Sequence, residues 1–122
     1  MWNPFSESKL PEAWQRLKAV SDLKSIDETS YQIPVAILKH STRCSRSAFA
    51  KERLANSYHL PTSKFAFYYL DLLQYREVSN AITRQYGIPH QSPQLIIIRN
   101  GKAVFDTSHE DISMKPLIER IV

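Results

Sequence analysis

The sequence predicts a mixed α/β sandwich, a central sheet with helices on both faces. Three observations carry that prediction. Apolar strand-like runs alternate with helical stretches from residue 14 onward. The dipeptide Asn100-Gly101 then joins two apolar runs, as in a tight antiparallel hairpin. The length, 122 residues, is that of one domain with a modest core.

Residues 1 to 13 read as an irregular lead-in, with Pro4 and Pro11 discouraging regular structure, and residues 14 to 122 as the single domain. WQRL, Trp14 to Leu17, is a short edge strand. Leu23 and Ile26, three apart behind Ser21, predict a helix in SDLKSIDET with that serine as N-cap. VAILKH, Val35 to His40, is a β-branched run of the length of a strand buried on both faces. It breaks at STRC, and SRSAFAKERLANSY reads as a helix with Ala50 and Leu54 on one side. KFAFYYLDL is an aromatic-rich strand. In REVSNAITRQYG, Val78, Ile82 and Tyr86 form one stripe and Gly87 stands where a helix ends. Pro89 prevents continuation. The hairpin runs Leu95 to Ile98 and Ala103 to Phe105, and Met114, Leu117, Ile118 and Ile121 predict a last helix begun by Ser113. Pro116 is tolerable in its first turn.

Composition narrows the function. Hydrophobic content of 43% and charged content of 23% are ordinary for a soluble globular chain. No apolar run approaches the ~20 residues of a membrane span, and the opening MWNPFSESKL lacks the pattern of a secretory signal. The formal charge of +4 comes from basic residues spread among acidic ones. That is a solvated surface, or a partner for a small anion, rather than a nucleic-acid stripe. One cysteine makes no internal disulfide, which favours a reducing compartment, here read as cytoplasmic. There is no metal-ligand spacing, no glycine-rich phosphate loop and no Gly-x-Ser-x-Gly element.

Cys44 is the residue that asks for a chemical explanation. A lone cysteine is commonly a small buried hydrophobe. This one follows a buried strand and opens a helix, where unpaired amides and the helix dipole favour an anion, and Arg43 and Arg46 add positive charge. Each factor favours thiolate, the nucleophilic form. Ser47 stands where a Cys-x-x-Cys protein has its second thiol. A hydroxyl cannot resolve a mixed disulfide, so Cys44 would work as a monothiol and another thiol would regenerate it. The plain alternative for Ser47 is a hydrogen bond within the first helical turn. His40 and His109 are candidates to pass a proton to a leaving sulfur, or simply structural or solvated histidines.

The element order, the cysteine opening a helix and Pro93 leading into the hairpin together resemble the thioredoxin fold, so the sandwich is expected to be thioredoxin-like and three-layered. Within it, LKHSTRCSRSA, YLDLLQYREVSNAI, HQSPQLIIIRNGKAV and SHEDIS occur in order across roughly residues 35 to 113. They resemble the YtxJ-type family, the monothiol bacilliredoxins of the bacillithiol system. KHSTRC and SPQ are the specific parts. The family often has proline directly after the cysteine and an aliphatic residue next, where this chain has Ser45 and Arg46.

The resemblance implies a thiol-disulfide oxidoreductase of Cys-x-x-Ser type that removes bacillithiol from S-thiolated proteins through a mixed disulfide on Cys44. Thr42, Arg43, Ser47, Ser92 and Pro93 would support it, with a cis Ser92-Pro93 bond exposing the Ser92 backbone for strand-like pairing. No cofactor is expected to be bound. Bacillithiol is the implied low-molecular-weight thiol co-substrate and S-bacillithiolated proteins the partners, with neither nucleic acid nor membrane. The malate of bacillithiol would suit a basic rim, for which Lys39, Arg43, Arg46 and Arg99 are candidates, with His40 and His109 beside them. The alternatives are a redox-inert thioredoxin-like binding module and a sensor whose own cysteine is capped.

Overall fold

The computed structural model describes residues 10–121. Most of the expected irregular lead-in therefore lies outside the described residues. The elements run β1 (Trp14–Arg16), α1 (Asp22–Ser30), β2 (Val35–His40), α2 (Ser45–Ser57), β3 (Ala66–Asp71), α3 (Arg76–Tyr86), β4 (Gln94–Arg99), β5 (Lys102–Ser108), a 3-10 turn (His109–Asp111) and α4 (Lys115–Ile118). This is the order read from the sequence. The sheet is mixed, in the order β1-β3-β2-β4-β5. Strands β1, β3 and β2 run parallel, β4 is antiparallel to β2, and β5 is antiparallel to β4.

Strand β2 lies at the centre and all six of its residues are buried. The two-residue period of a strand divides its side chains between two cores. Ala36 and Leu38 pack with Ala50 and Leu54 of α2 and Leu117 of α4. Val35 and Ile37 pack with Leu23 and Ile26 of α1 and Val78 and Ile82 of α3. Each fully buried Leu or Ile contributes about 1.5–3 kcal/mol, so both cores clamp the strand that ends at the cysteine loop.

Local chemistry sets the boundaries. Gly87 closes α3 at φ 67 and donates its amide to the Thr83 carbonyl. Asn100 and Gly101 take φ 54 and 75, the left-handed pair that a two-residue hairpin requires. Ser21 occupies the N-cap of α1 but makes no side-chain cap bond. Asp22 Oδ2 instead accepts from the Lys18 and Ala19 amides.

The last helix departs from expectation. It spans only four residues, and Met114, not Ser113, is its N-cap. Met114, Pro116 and Leu117 are buried, whereas Ile118 and Ile121 are exposed. After Ile118 the chain tightens into i→i+3 bonds, Arg120 to Leu117 and Ile121 to Ile118, so Ile121 no longer follows the 3.6-residue stripe.

Candidate active site

Strand β2 delivers the chain to the site and α2 leads it away. After His40 the backbone turns through Ser41, Thr42 and Arg43, and the Cys44 amide closes the turn on the Ser41 carbonyl at 3.2 Å. Cys44 is the N-cap of α2, with extended backbone at φ −113 and ψ 116. Its carbonyl accepts the Ala48 amide at 3.0 Å, the first bond of the helix. The side chain makes no capping bond and is partly exposed. Cys44 is therefore neither sealed in the core nor spent on capping the helix end. Arg43 is exposed and has no hydrogen-bond or ion-pair partner among the described residues, and Thr42 is half-buried.

Ser47 acts across elements rather than within its own turn. It is fully buried, accepts the Ser41 amide at 3.0 Å and lies 2.7 Å from His40 Nδ1. Burial, then the nearby positive charge of Lys51, pushes the His40 imidazole down to about 4. The neutral imidazole and the Ser47 hydroxyl share one hydrogen bond at Nδ1. One buried hydroxyl thus ties the end of β2 and the cysteine loop to the first turn of α2. His40 is an internal strut, not a residue of the rim.

Stability should follow that titration. An unfolded histidine binds its proton near 6.5, whereas His40 in the fold resists protonation down to about 4. The unfolded chain therefore binds more protons in this window, and stability falls as pH drops through it. The expected loss is about 2–3 kcal/mol on going from neutral pH to below about 4. Urea unfolding against pH measures it. Ser47→Ala should cost about 1–3 kcal/mol at neutral pH, because it strands the buried Ser41 amide and His40 Nδ1.

The second half of the site comes from the hairpin. Lys39 of β2 pairs with Gln94 of β4, so the loop before β4 lies at the same sheet end as the cysteine loop. The Ser92–Pro93 peptide there is cis. Pro93 is buried and its carbonyl accepts the His109 amide at 3.1 Å, while the buried Ser92 Oγ has no partner. Gln94 ties this loop together, donating from Nε2 to the Pro89 carbonyl and accepting the Gln91 amide.

The candidate anion-binding residues separate. Lys39 is fully enclosed, with no partner for Nζ, and burial lowers it from 10.5 to about 8. It presents no surface to a ligand. Arg99 donates to the Ser30 carbonyl at the far end of β4. Arg46 lies two residues beyond the cysteine, and its guanidinium holds the Glu110 carboxylate in parallel bonds of 2.6 and 2.7 Å. Those bonds hold Glu110 down to about 2. His109, at φ 57, lines a cleft of about 230 Å³ with Arg46, Phe49, Ala50, Arg53 and Glu110. Glu110 lies in the quoted SHEDIS, but its contact with Arg46 spans 64 positions and no short spacing points to it.

Among the described residues no three His, Cys, Asp or Glu side chains form a group able to hold a metal. No described helix is long and apolar enough to cross a membrane.

Comparison with known proteins bears on the family and the fold. A family model described as monothiol bacilliredoxin BrxC matches residues 15–117. Among solved structures, a candidate oxidoreductase with a thioredoxin fold is 27% identical, with a TM-score of 0.70 over 88% of this chain and 93% of the other. Thioredoxin from Trypanosoma brucei brucei is 18% identical at a TM-score of 0.69, covering 93% of this chain and 97% of its own. Malassezia sympodialis thioredoxin is 17% identical at 0.68, covering 93% of each chain. The two thioredoxins speak to the fold alone.

Proposed function

The chain belongs to the monothiol bacilliredoxin family, matched over residues 15–117, and from that premise we propose that it removes bacillithiol from S-bacillithiolated proteins through Cys44. The fold and the family give a thiol redox role, and the partly exposed Cys44 at the α2 N-cap is the observation that carries the finer reading.

The Cys44 thiolate attacks the bacillithiol sulfur of the client's mixed disulfide. The Cys44–bacillithiol S–S bond forms as the client S–S bond breaks, and the client sulfur leaves as a thiolate that takes a proton from water. The client is reduced and Cys44 is oxidised. No second cysteine exists to resolve the cap. A further bacillithiol thiolate attacks it, releasing bacillithiol disulfide and free Cys44. Ser47 holds the loop, and the open end of β4 around Ser92 and Pro93 offers backbone to the incoming disulfide. The reducing cytoplasm is the compartment in which this cycle runs forward.

Two assays test the reading. With a bacillithiolated client and excess bacillithiol, the protein should turn over, and no turnover with any low-molecular-weight thiol would leave a binding module. Arg46→Glu should slow the reaction with bacillithiol disulfide about tenfold, by opposing its malate carboxylates, and that with bis(hydroxyethyl) disulfide far less. Equal slowing of both would remove Arg46 as an anion-binding group.

A further inference from the structure

We infer that Glu110 is a specificity-determining residue: in the unloaded protein its carboxylate occupies the Arg46 guanidinium that receives the carboxylate of an anionic disulfide, and the disulfide displaces it on reaching Cys44. The inference rests on the reading of Arg46 as the anion-binding group of the site.

The geometry of the contact is that of a bound ligand. Both Glu110 oxygens meet Arg46, one on Nε at 2.6 Å and one on Nη2 at 2.7 Å, the fork-to-fork match that guanidinium makes with any carboxylate. A substrate carboxylate that docks on this same Nε–Nη2 edge needs the two donors Glu110 holds, so the two anions compete for it. The pair is also exchangeable, since the side chains are 53% and 69% exposed and exposed ion pairs are weak. A disulfide placed at Cys44 delivers its carboxylate at high local concentration two residues from the nucleophile, which favours the exchange.

Release of Glu110 requires no rearrangement of the chain. Its backbone is held independently of its carboxylate. On one side the His109 amide donates to the Pro93 carbonyl, and on the other Arg53 Nη2 donates to the carbonyls of Glu110 and Ile112. Only side-chain torsions have to change, and the cleft beside Phe49, Ala50 and Arg53 is open to receive the side chain. In this arrangement Glu110 holds the guanidinium fork in position between turnovers, and it disfavours disulfides that lack a carboxylate to take its place. The step at sulfur is unchanged: Cys44 forms one S–S bond as the disulfide loses its own, and the other half leaves as thiolate.

The test uses bis(carboxyethyl) disulfide and bis(hydroxyethyl) disulfide, which share a skeleton and differ in charge. The readout is the ratio of their second-order rate constants with Cys44. Glu110→Gln should raise this carboxylate preference about three- to fivefold, the size that exposed ion pairs reach. Glu110→Asp should raise it as well, because the shortened side chain keeps its charge but loses reach. Asp111→Asn, which removes a neighbouring exposed charge, should leave the ratio near that of the unmodified protein. The gain of Glu110→Gln should vanish when it is combined with Arg46→Met. No gain in either Glu110 variant, or an equal gain in Asp111→Asn, would overturn the inference. If Arg46→Met alone leaves the preference intact, the anion-binding reading of Arg46 falls first and the role of Glu110 falls with it. Loss of preference in Arg46→Met without a gain in the Glu110 variants sinks the Glu110 inference only.

Discussion

Cys44→Ser abolishes turnover, reducing it by on the order of a thousandfold or more to the background rate of thiol exchange in solution. The residue is the chain's only thiol, so no other side chain can form the mixed disulfide. A serine hydroxyl is un-ionised at neutral pH and makes no S–S bond. The fold should be indifferent to the change, because the Cys44 side chain makes no hydrogen bond at the cap and is partly exposed. Serine is also a favoured N-cap residue, so α2 loses nothing at its first turn. Client release followed by thiol titration, alongside thermal unfolding, separates chemistry from folding. Turnover remaining in Cys44→Ser would contradict the mechanism, and a large fall in melting temperature would make the loss uninformative about sulfur.

Lys39→Met raises stability at neutral pH, the largest stabilisation expected from one substitution here. Lys39 is fully enclosed and its Nζ has no hydrogen-bond partner. Burial lowers it from 10.5 to about 8, so at neutral pH the folded protein still carries an ammonium that the unfolded chain would hold in water at less cost. The full shift corresponds to about 3 kcal/mol. Screening by the solvent around so small a domain discounts that figure, and the expected gain is about 1–2 kcal/mol. Methionine keeps the length of the stem and gives up the charge.

The pH dependence has a definite sign. Because the folded pKa is depressed, the penalty is fully present below about 8 and disappears as pH rises toward 10.5. Denaturant unfolding of both proteins should show the difference shrinking across that window. A destabilised Lys39→Met at neutral pH would mean that the ammonium has a partner of substantial worth in solution.

The fold was legible where a local rule acts alone. VAILKH has the length and the β-branched content of a buried strand, and it is one, residue for residue. Asn100-Gly101 demanded left-handed backbone and takes it, and Gly87 closes α3 for the same reason. The reach of α4 was not legible, because its apolar spacing is a necessary condition for a helix and its packing is decided by which residues meet the sheet. At the site, the position of Cys44 after a strand and before a helix could be read directly. The partners of its neighbours could not. Ser47 reaches back seven positions to His40, and Arg46 reaches across 64 to Glu110. Such contacts depend on tertiary placement that no short spacing encodes. Lys39 was grouped with a basic rim because charge suggests exposure, yet its register opposite Gln94 turns it under a loop.

The central claim, that one sulfur at the start of α2 takes the thiol cap onto itself, is tested most directly by intact-mass analysis with peptide mapping. The protein is mixed with a stoichiometric bacillithiolated client and quenched with acid before any reductant is added. The account predicts that the client loses one bacillithiol and that this chain gains one on Cys44, with no gain in Cys44→Ser. A client that keeps its cap while Cys44 stays free would contradict it.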